Sequence, residues 1–552
     1  MSLNRLLLIF AGIICSLTAM GQNTVGLLSY DKNKSYDGYN LVYPHNQPNV
    51  YLLDNCGEVV HTWTDDEAWR PGNIAYLTKS GRLVKGKRHK NVTQDAIWFG
   101  GGGAIIEIRD WDNTLVWSFE LNDSLQRLHH DFAPMPNGNI LMTVWNKMTK
   151  QQLYEAGRDT IQYKDESLLS ESIIEVNPAT NEIVWKWELK NHFMQDRDSL
   201  RANYGKLADH PGKVNINYPT NTIQNSWFHI NAIDYNEELD QIVVSVPTYN
   251  EIWILDHTTT TAQAASNSGG LSGTGGQLMY RWGNPATYGK GDIVPQSLFF
   301  QHDIHWLDNF IPATNPNYGK LAVFNNQAGT NFSTAEFFNT PWDMYEWKYT
   351  KTNGAWGPLA SDRTIKHPVQ TKMFSSGLSS VQLLPNNNVL ILVGRTGYAF
   401  ELDNNGQIVW EYTVPLKNGI PVSQGTSLVP NDNTTFRMKR YPTDFEAFAG
   451  KDLSTKGYIE LIPDTAYCTK LVSINDVESS RNRLIPNPAS DHITIASLYE
   501  CQGQIVSPDG KYFLTAKLQP GNNRIDVSGL PPGMYFVKIE NENSPLVFIK
   551  TN

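Results

Sequence analysis

Leu128-His129-His130-Asp131-Phe132, ahead of Pro136-Asn137-Gly138-Asn139, and Gln301-His302-Asp303-Ile304, ahead of Leu307-Asp308-Asn309, are two copies of one pattern. Each places a histidine, an acid and an apolar residue before a turn. A third copy, Trp227-Phe228-His229-Ile230-Asn231 before Glu237-Glu238-Leu239-Asp240, carries its histidine two positions early, with Asn231 at the register point. A fourth, Ser379-Ser380-Val381-Gln382-Leu383-Leu384 before Pro385-Asn386-Asn387-Asn388, has no histidine. Radial repeats point equivalent positions at one axis, so histidines far apart in sequence are expected to converge there.

The pattern belongs to a longer unit that recurs from about residue 50 to 415. A strand with an acidic end, such as Ala104–Asp110, is followed by an aromatic strand, such as Thr114–Phe119, then the histidine strand and an apolar strand such as Ile140–Trp145. The opening pair recurs at Val50–Asp54 with Val59–Trp63, Ile173–Val176 with Ile183–Trp187, Ile252–Asp256 with Leu278–Trp282, and Tyr398–Asp403 with Gln407–Tyr412. A weaker copy surrounds Met344-Tyr345-Glu346-Trp347 and makes six. Alternating, β-branched runs bounded by Asn, Asp and Gly predict strands. The expected fold class is all-β: a six-bladed β-propeller over residues 22–463, a linker over 464–483, and a small β-sandwich over 484–552. Excess length falls in insertions at 147–170, 190–225, 258–276 and 350–372, and long loops of this kind build or cover sites.

Composition agrees: 16 Trp and 25 Tyr with 41 Gly and 29 Pro favour strands and turns. A net charge of −10 with no dense basic stripe argues against nucleic acid as a partner. Arg88-His89-Lys90 with Lys85 and Lys87 reads as a solvated loop. Arg5 before the apolar run Leu6–Ala19, with small residues before Gln22, reads as a signal peptide over residues 1–21; the run is short for a membrane span, and no later segment is apolar enough to cross. Cleavage leaves Cys56, Cys468 and Cys501, an odd count that leaves at least one unpaired; the ends of a propeller meet, so either Cys56 and Cys468 form a disulfide or all three are unpaired thiols. None of them lies near the histidine pattern, which disfavours a thiol nucleophile.

Two stretches carry family resemblances. Pro486-Asn487-Pro488-Ala489-Ser490-Asp491, Gly533-Met534-Tyr535-Phe536-Val537-Lys538-Ile539 and the terminal Lys550 resemble the C-terminal sorting domain of the type IX secretion system of Bacteroidetes. That resemblance implies export through the periplasm and outer membrane by the secretion machinery, and a secreted or cell-surface protein. Over about residues 25–460 the body resembles the bacterial arylsulfotransferase family. The matching stretches are Gly101-Gly102-Gly103-Ala104, His129-His130-Asp131, Arg281-Trp282-Gly283-Asn284-Pro285, Gln301-His302-Asp303, Trp410-Glu411-Tyr412 and Arg437-Met438-Lys439-Arg440-Tyr441. The resemblance implies a six-bladed propeller with a histidine-rich centre. It implies transfer of a sulfuryl group from a phenolic sulfate ester to a phenol acceptor through a sulfohistidine, with no cofactor.

On that resemblance His302, in the family's Gln-His motif, is the expected nucleophile, and His130 and His229 are expected to bind sulfate or protonate the leaving group. Strand alternation predicts that His130 faces the axis, that His129 is a satisfied core histidine, that Asn231 shares the face of His229, and that His305 points into the blade. Asp131 and Asp303 are expected to face away from the histidines. The chain departs from the family where an arginine should follow the third histidine strand: Ser245-Val246-Pro247-Thr248-Tyr249-Asn250 has none. A sulfate site needs a cation. Arg395 and Arg281 are the candidates to supply it, with Tyr249 and Asn250 as hydrogen-bonding groups. No Gly-x-x-x-x-Gly-Lys loop is present, which argues against a nucleotide sulfate donor, and Gly100–Gly103 reads as a tight turn. The rival readings are a non-catalytic surface propeller that binds glycan or protein, an aryl-sulfate hydrolase, and a three-histidine zinc site, which short-range ligand spacing does not support.

Overall fold

A computed structural model of the chain describes residues 23–159, 161–162, 166–218, 227–308, 310–469, 483–497, 500–540 and 545–552. The expected signal peptide and most of the expected linker lie outside them. The chain is all-β, 44% strand and 6% helix, and divides into two compact units, Met1–Tyr467 and Cys468–Asn552. No helix among the described residues is long and apolar enough to cross a membrane.

Six antiparallel sheets of four or five strands make up the first unit's main frame among the described residues. In chain order their innermost strands are Thr435–Pro442, Trp69–Leu77, Gln126–Pro134, Ala232–Asn236, His302–Trp306 and Ser380–Leu383. Each packs on the next, and Ser380–Leu383 returns to Thr435–Pro442, which packs on Trp69–Leu77. The first sheet is stitched from both ends of the unit, since Thr435–Pro442 pairs with Gly38–Pro44. The sixth sheet gains Gly26–Tyr30 as a fifth strand.

The sheets are buried on both faces, and strand periodicity shows how. In Gln241–Val246, Ile242 and Val244 join Leu141, Ile173 and Trp187 of the third sheet, while Val243 joins Leu321 and Val323 of the fifth. This explains why the inner and middle strands read as apolar runs. Polar ties run around the ring: the amides of Ile233, Trp306 and Val381 donate to carboxylates of Asp131, Asp234 and Asp303, each on the preceding sheet. Arg440 N donates to Gln382, and Leu77 N to the Tyr441 hydroxyl.

Three sequence expectations change. The outer pair of the fifth sheet is Phe332–Phe338 with Arg363–Ile365, whereas Met344–Trp347 belongs to a separate small hairpin, Trp342–Asp343 with Lys348–Tyr349. A long excursion between the third and fourth strands displaced the repeat. Lys85 and Lys87 are not solvated: they lie on Leu83–His89 and are buried against Asp65, with Lys87 also paired to Glu107 and placed 4.0 Å over the Trp69 ring. Alternation puts both lysines on one strand face, where Glu107 of the neighbouring strand and Asp65 of the connection before Trp69–Leu77 meet them. The third change, at His305, follows from the geometry of the centre below. Cys56 and Cys468 are both disulfide-bonded, and Cys501 is free and buried.

The second unit has a three-stranded sheet of Arg483–Ile485, His492–Ser497 and Gly521–Asp526, and a four-stranded sheet of Tyr512–Leu518, Cys501–Val506, Gly533–Ile539 and Leu546–Lys550. Ile493 and Ile495 from one sheet and Ile505, Val537 and Phe548 from the other share a single core, the packing of a β-sandwich.

Candidate active site

The innermost strands are bulged at matching places. Register breaks where residues 129–131 oppose Thr143, where 303–304 oppose Val323, and where 436–437 oppose Tyr43. His130, His229 and Asp303 have positive φ, at 44°, 60° and 58°. A bulge interrupts alternation, so consecutive side chains can reach the same region. This local irregularity, rather than regular pleating, builds the centre.

Two layers result. In the first, the His130 and His229 rings meet at 4.3 Å between centroids, and the Phe436 ring lies 6.4 Å from both His130 and His302. In the second, Arg437 sits between two carboxylates: Nη2 is 2.7 Å from Asp131 Oδ2 and Nε is 2.8 Å from Asp303 Oδ1. Its Nη1 donates to the Tyr76 hydroxyl, which donates to Asp131 Oδ1 at 2.9 Å. Burial works against the Arg437 charge, but Asp131, Tyr76 and Asp303 together hold its pKa above the usual value. With its charge committed to two acids, Arg437 ties three sheets and is not available to a sulfate.

His302 Nδ1 lies 2.7 Å from Asn326 Oδ1. The Asn326 amide donates to the carbonyls of Ser375 and Leu378, both at 2.9 Å. Those two acceptors fix which end of the amide is NH₂, so Oδ1 faces the ring and Nδ1 carries the hydrogen. The lone pair of His302 is therefore on Nε2. Burial pushes the His302 pKa down to about 3, against the Asn326 bond, which works the other way. His229 is likewise pushed to about 3 by burial. His130 falls well below the ordinary value through burial and then the neighbouring His229, His129 and His302 rings and Arg437. All three imidazoles are neutral at physiological pH.

Arg395 reaches the same corner. The point where a Cβ would sit on Gly377 is 3.5 Å from Arg395 Nη2 and 4.0 Å from His302 Nε2. Arg395 Nη1 donates to Asn431 at 3.1 Å, while its buried Nε has no hydrogen-bond partner among the described residues. Arg395 Nη2 thus brings a cation close to the neutral imidazole of His302, the charge that an anion needs.

The other expected residues are placed differently. Arg281 is fully buried and its Nη2 lies 2.5 Å from Glu251, with further bonds to the carbonyls of Pro211 and Lys213 and to Thr287. It braces the fourth sheet. The Tyr249 hydroxyl bonds to the carbonyls of Asn215 and Tyr218 within the apolar cluster, so it offers nothing to a ligand. Asn250 Oδ1 accepts from Phe300 N. Asn231 donates its amide to the Gln301 carbonyl at 2.9 Å, and its own carbonyl accepts from Arg437; its Oδ1 is buried without a partner among the described residues. His129 is satisfied as expected, stacked on Trp145 at 4.5 Å with Nε2 2.7 Å from Glu171.

His305 does not point into its blade. The bulge after His302 turns it toward a cavity of about 840 Å³ that is also lined by Tyr76, Asp234, Asp303, Arg437 and Lys439. None of the three central histidines lines that cavity. Among the described residues no group of three or more His, Cys, Asp or Glu side chains is placed to hold a metal ion.

Over residues 26–409 the sequence matches the arylsulfotransferase (ASST) family. The chain belongs to the arylsulfotransferase family. Residues 483–550 match the secretion system C-terminal sorting domain, which makes this arylsulfotransferase-family chain a secreted or cell-surface protein. No curated protein matches the sequence. Among solved structures, a protein of unknown function from Bacteroides caccae is similar at 12% identity and a TM-score of 0.39, covering 74% of this chain and 99% of that one. The periplasmic gluconolactonase of Pseudomonas aeruginosa is similar at 10% identity and 0.34, covering 89% and 99%. The virginiamycin B lyase of Staphylococcus aureus, in its inactive form with quinupristin, is similar at 9% and 0.32, covering 72% and 90%. Likenesses this weak carry no argument about what the arylsulfotransferase-family unit does.

Proposed function

We propose that the six sheets close as a six-bladed propeller and that its central histidines move a sulfuryl group from a phenolic sulfate ester to a phenol. The neutral imidazole of His302 attacks sulfur through Nε2. The S–O bond to the aryl group breaks, its electron pair leaves on the phenolate, and a sulfohistidine remains. The Nδ1–H to Asn326 stays in place and stabilises the imidazolium so formed. Arg395 holds the sulfate oxygens in place of the arginine missing after the third histidine strand. His130 and His229 face the departing oxygen. A second phenol then attacks sulfur, and the N–S electron pair returns to His302. No nucleotide takes part. The first 21 residues direct export, and the type IX tail hands the chain to its secretion machinery.

The observation that carries this reading is the Asn326 amide, whose two carbonyl partners leave His302 a single tautomer, the nucleophilic one at Nε2. The test incubates the full chain with an aryl sulfate and a second phenol in the presence of chelator. Products are followed together with the mass of the His302 peptide. The expected result is sulfated acceptor and a peptide heavier by one SO₃ group, both lost in His302→Ala. Arg395→Ala should cost about a hundredfold, the scale of a lost charge-stabilising donor. Free sulfate with no need for acceptor would point to a hydrolase. A folded wild type inert across a panel of phenols would sink the transferase reading in favour of a binding propeller.

A further inference from the structure

Glu171 lies in the third strand of the third sheet, Ser167–Asn177, and is buried. Its Oε2 is 2.7 Å from His129 Nε2, and His129 Nδ1 is 2.8 Å from His130 Nδ1. The chain therefore runs carboxyl, imidazole, imidazole, and ends at His130 Nε2. That last nitrogen lies against Gly101, where any Cβ would collide with it, and the ring stands beside His229 in the histidine layer. Trp145 stacks flat on His129, 7° between planes, and holds the middle ring in register with both neighbours.

A nitrogen-to-nitrogen contact between two neutral imidazoles has one hydrogen, so the chain has two states. With Glu171 as the acid, its O–H donates to His129 Nε2, His129 Nδ1–H donates to His130 Nδ1, and His130 Nε2 carries a hydrogen. With Glu171 ionised, every bond reverses and His130 Nε2 holds a lone pair. The two states differ by one proton overall: the hydrogen lost from His130 Nε2 is made up along the chain, and the deficit appears at Glu171.

We propose that Glu171 and His129 are a proton relay that charges His130, so that His130 protonates the departing phenolate and later recovers the proton of the acceptor phenol. The inference rests on the sulfuryl-transfer reading above. In the first half-reaction the S–O bond to the aryl group breaks and the phenolate oxygen takes the hydrogen from His130 Nε2. His130 Nδ1 takes the hydrogen of His129 Nδ1, and His129 Nε2 takes the proton of Glu171, leaving a carboxylate. In the second half-reaction the acceptor phenol gives its proton to His130 Nε2, the bonds reverse, and Glu171 is again an acid. Protons balance over the cycle, and no co-reactant is needed. Two features suit Glu171 to both states. Burial raises its pKa well above the usual value, which favours the acid at rest. The backbone amides of Ile230 and His229 donate to it and stabilise the carboxylate when it forms. Glu171 and His129 touch no reacting atom and act through His130 as positioning residues.

The test is E171Q in the full chain with two donors, a nitrophenyl sulfate, whose phenolate leaves unaided, and unsubstituted phenyl sulfate, whose phenolate needs the proton, each read as phenol release in a single turnover without acceptor, so that only the first half-reaction is measured. Release from phenyl sulfate should slow at least about tenfold, within the range of general-acid catalysis, with half-saturation by the donor unchanged and the nitrophenyl rate nearly intact. An equal loss with both donors would mean a structural role and would overturn the relay, as would no loss with either. Ring-nitrogen NMR of the resting wild type supplies a reading that needs no turnover: hydrogens on His129 Nδ1 and His130 Nε2 are expected near neutral pH. Hydrogens on His129 Nε2 and His130 Nδ1 instead would refute the acid resting state whether or not the chain transfers sulfate. A wild type with the expected tautomers but no sulfated product would preserve the relay geometry and remove the reaction assigned to it.

Discussion

His130 holds a positive φ that a β-carbon disfavours, and Gly101 is the residue that makes room for its ring. Gly101 itself sits at φ 90°, and its carbonyl accepts from His130 N at 2.7 Å and Asn73 Nδ2 at 2.8 Å. Two independent facts thus require glycine there: backbone conformation and the absence of a Cβ. Gly101→Ala is expected to push the His130 ring off His129 and lower sulfuryl transfer more than tenfold. The strain should reduce stability by about 1–3 kcal/mol. Kinetics beside a urea unfolding curve would check both, and an unaltered kcat would show that the ring can move without consequence.

At the scale of strands and turns, the bulges aim the central side chains, and ion pairs fasten one sheet to the next. His257, at the end of Glu251–Asp256, lies 2.6 Å from Asp240 and 3.0 Å from Glu175 of the third sheet. Burial lowers its pKa, but the Asp240 and Glu175 carboxylates outweigh burial and raise it to about 9. The folded value lies above the unfolded one of about 6.5, so the stabilisation is complete below about pH 6.5 and lost as pH rises through 9. His257→Asn should therefore cost on the order of 2 kcal/mol at pH 6, and variant and wild type should converge above pH 9. Urea midpoints at several pH values measure this, and a gap that widens with pH would contradict it.

For the whole first unit, the number of histidines buried neutral sets the acid response. His45 and His192 are pushed to about 4, His229 and His302 to about 3, and His129 and His130 well below the usual value, in each case first by burial. Below about pH 6.5 the unfolded chain binds protons at these sites that the folded chain refuses, so stability falls as pH falls, by up to about 1.4 kcal/mol per pH unit for each histidine. Glu171, Asp54, Asp234 and Glu460 have raised pKa values and act in the opposite sense. His61, His305 and His367 are lowered too, so nine histidines stand against the four carboxyls and the raised His257, and the balance is a net loss of stability from pH 6.5 to 5. Calorimetric unfolding across that range should show a falling Tm and net proton uptake on unfolding, and a Tm that rises toward pH 5 would refute the balance.

The sequence by itself determined the all-β class, the two-part organisation, most of the strand pairs and the family. Period-two patterns and turn residues are local signals, and local signals survive without the tertiary structure. It named His302, His130, His229 and Arg395 as candidates, and the structure places His130 beside His229 and Arg395 near His302. It misread His305, because alternation holds only in regular strands and a bulge resets it. It placed Arg281 and Tyr249 among the site candidates, although their polar atoms are spent on Glu251 and on backbone carbonyls. It gave no reason to select Asn326 or Glu171, which lie on other strands and matter only through the histidines they contact. Arg437 stood in a matching motif, yet its role between Asp131 and Asp303 depends on side chains of three sheets meeting. Which ring nitrogen bears a hydrogen, and which cation is unspent, are properties of contacts between distant segments, so only the tertiary structure could decide them.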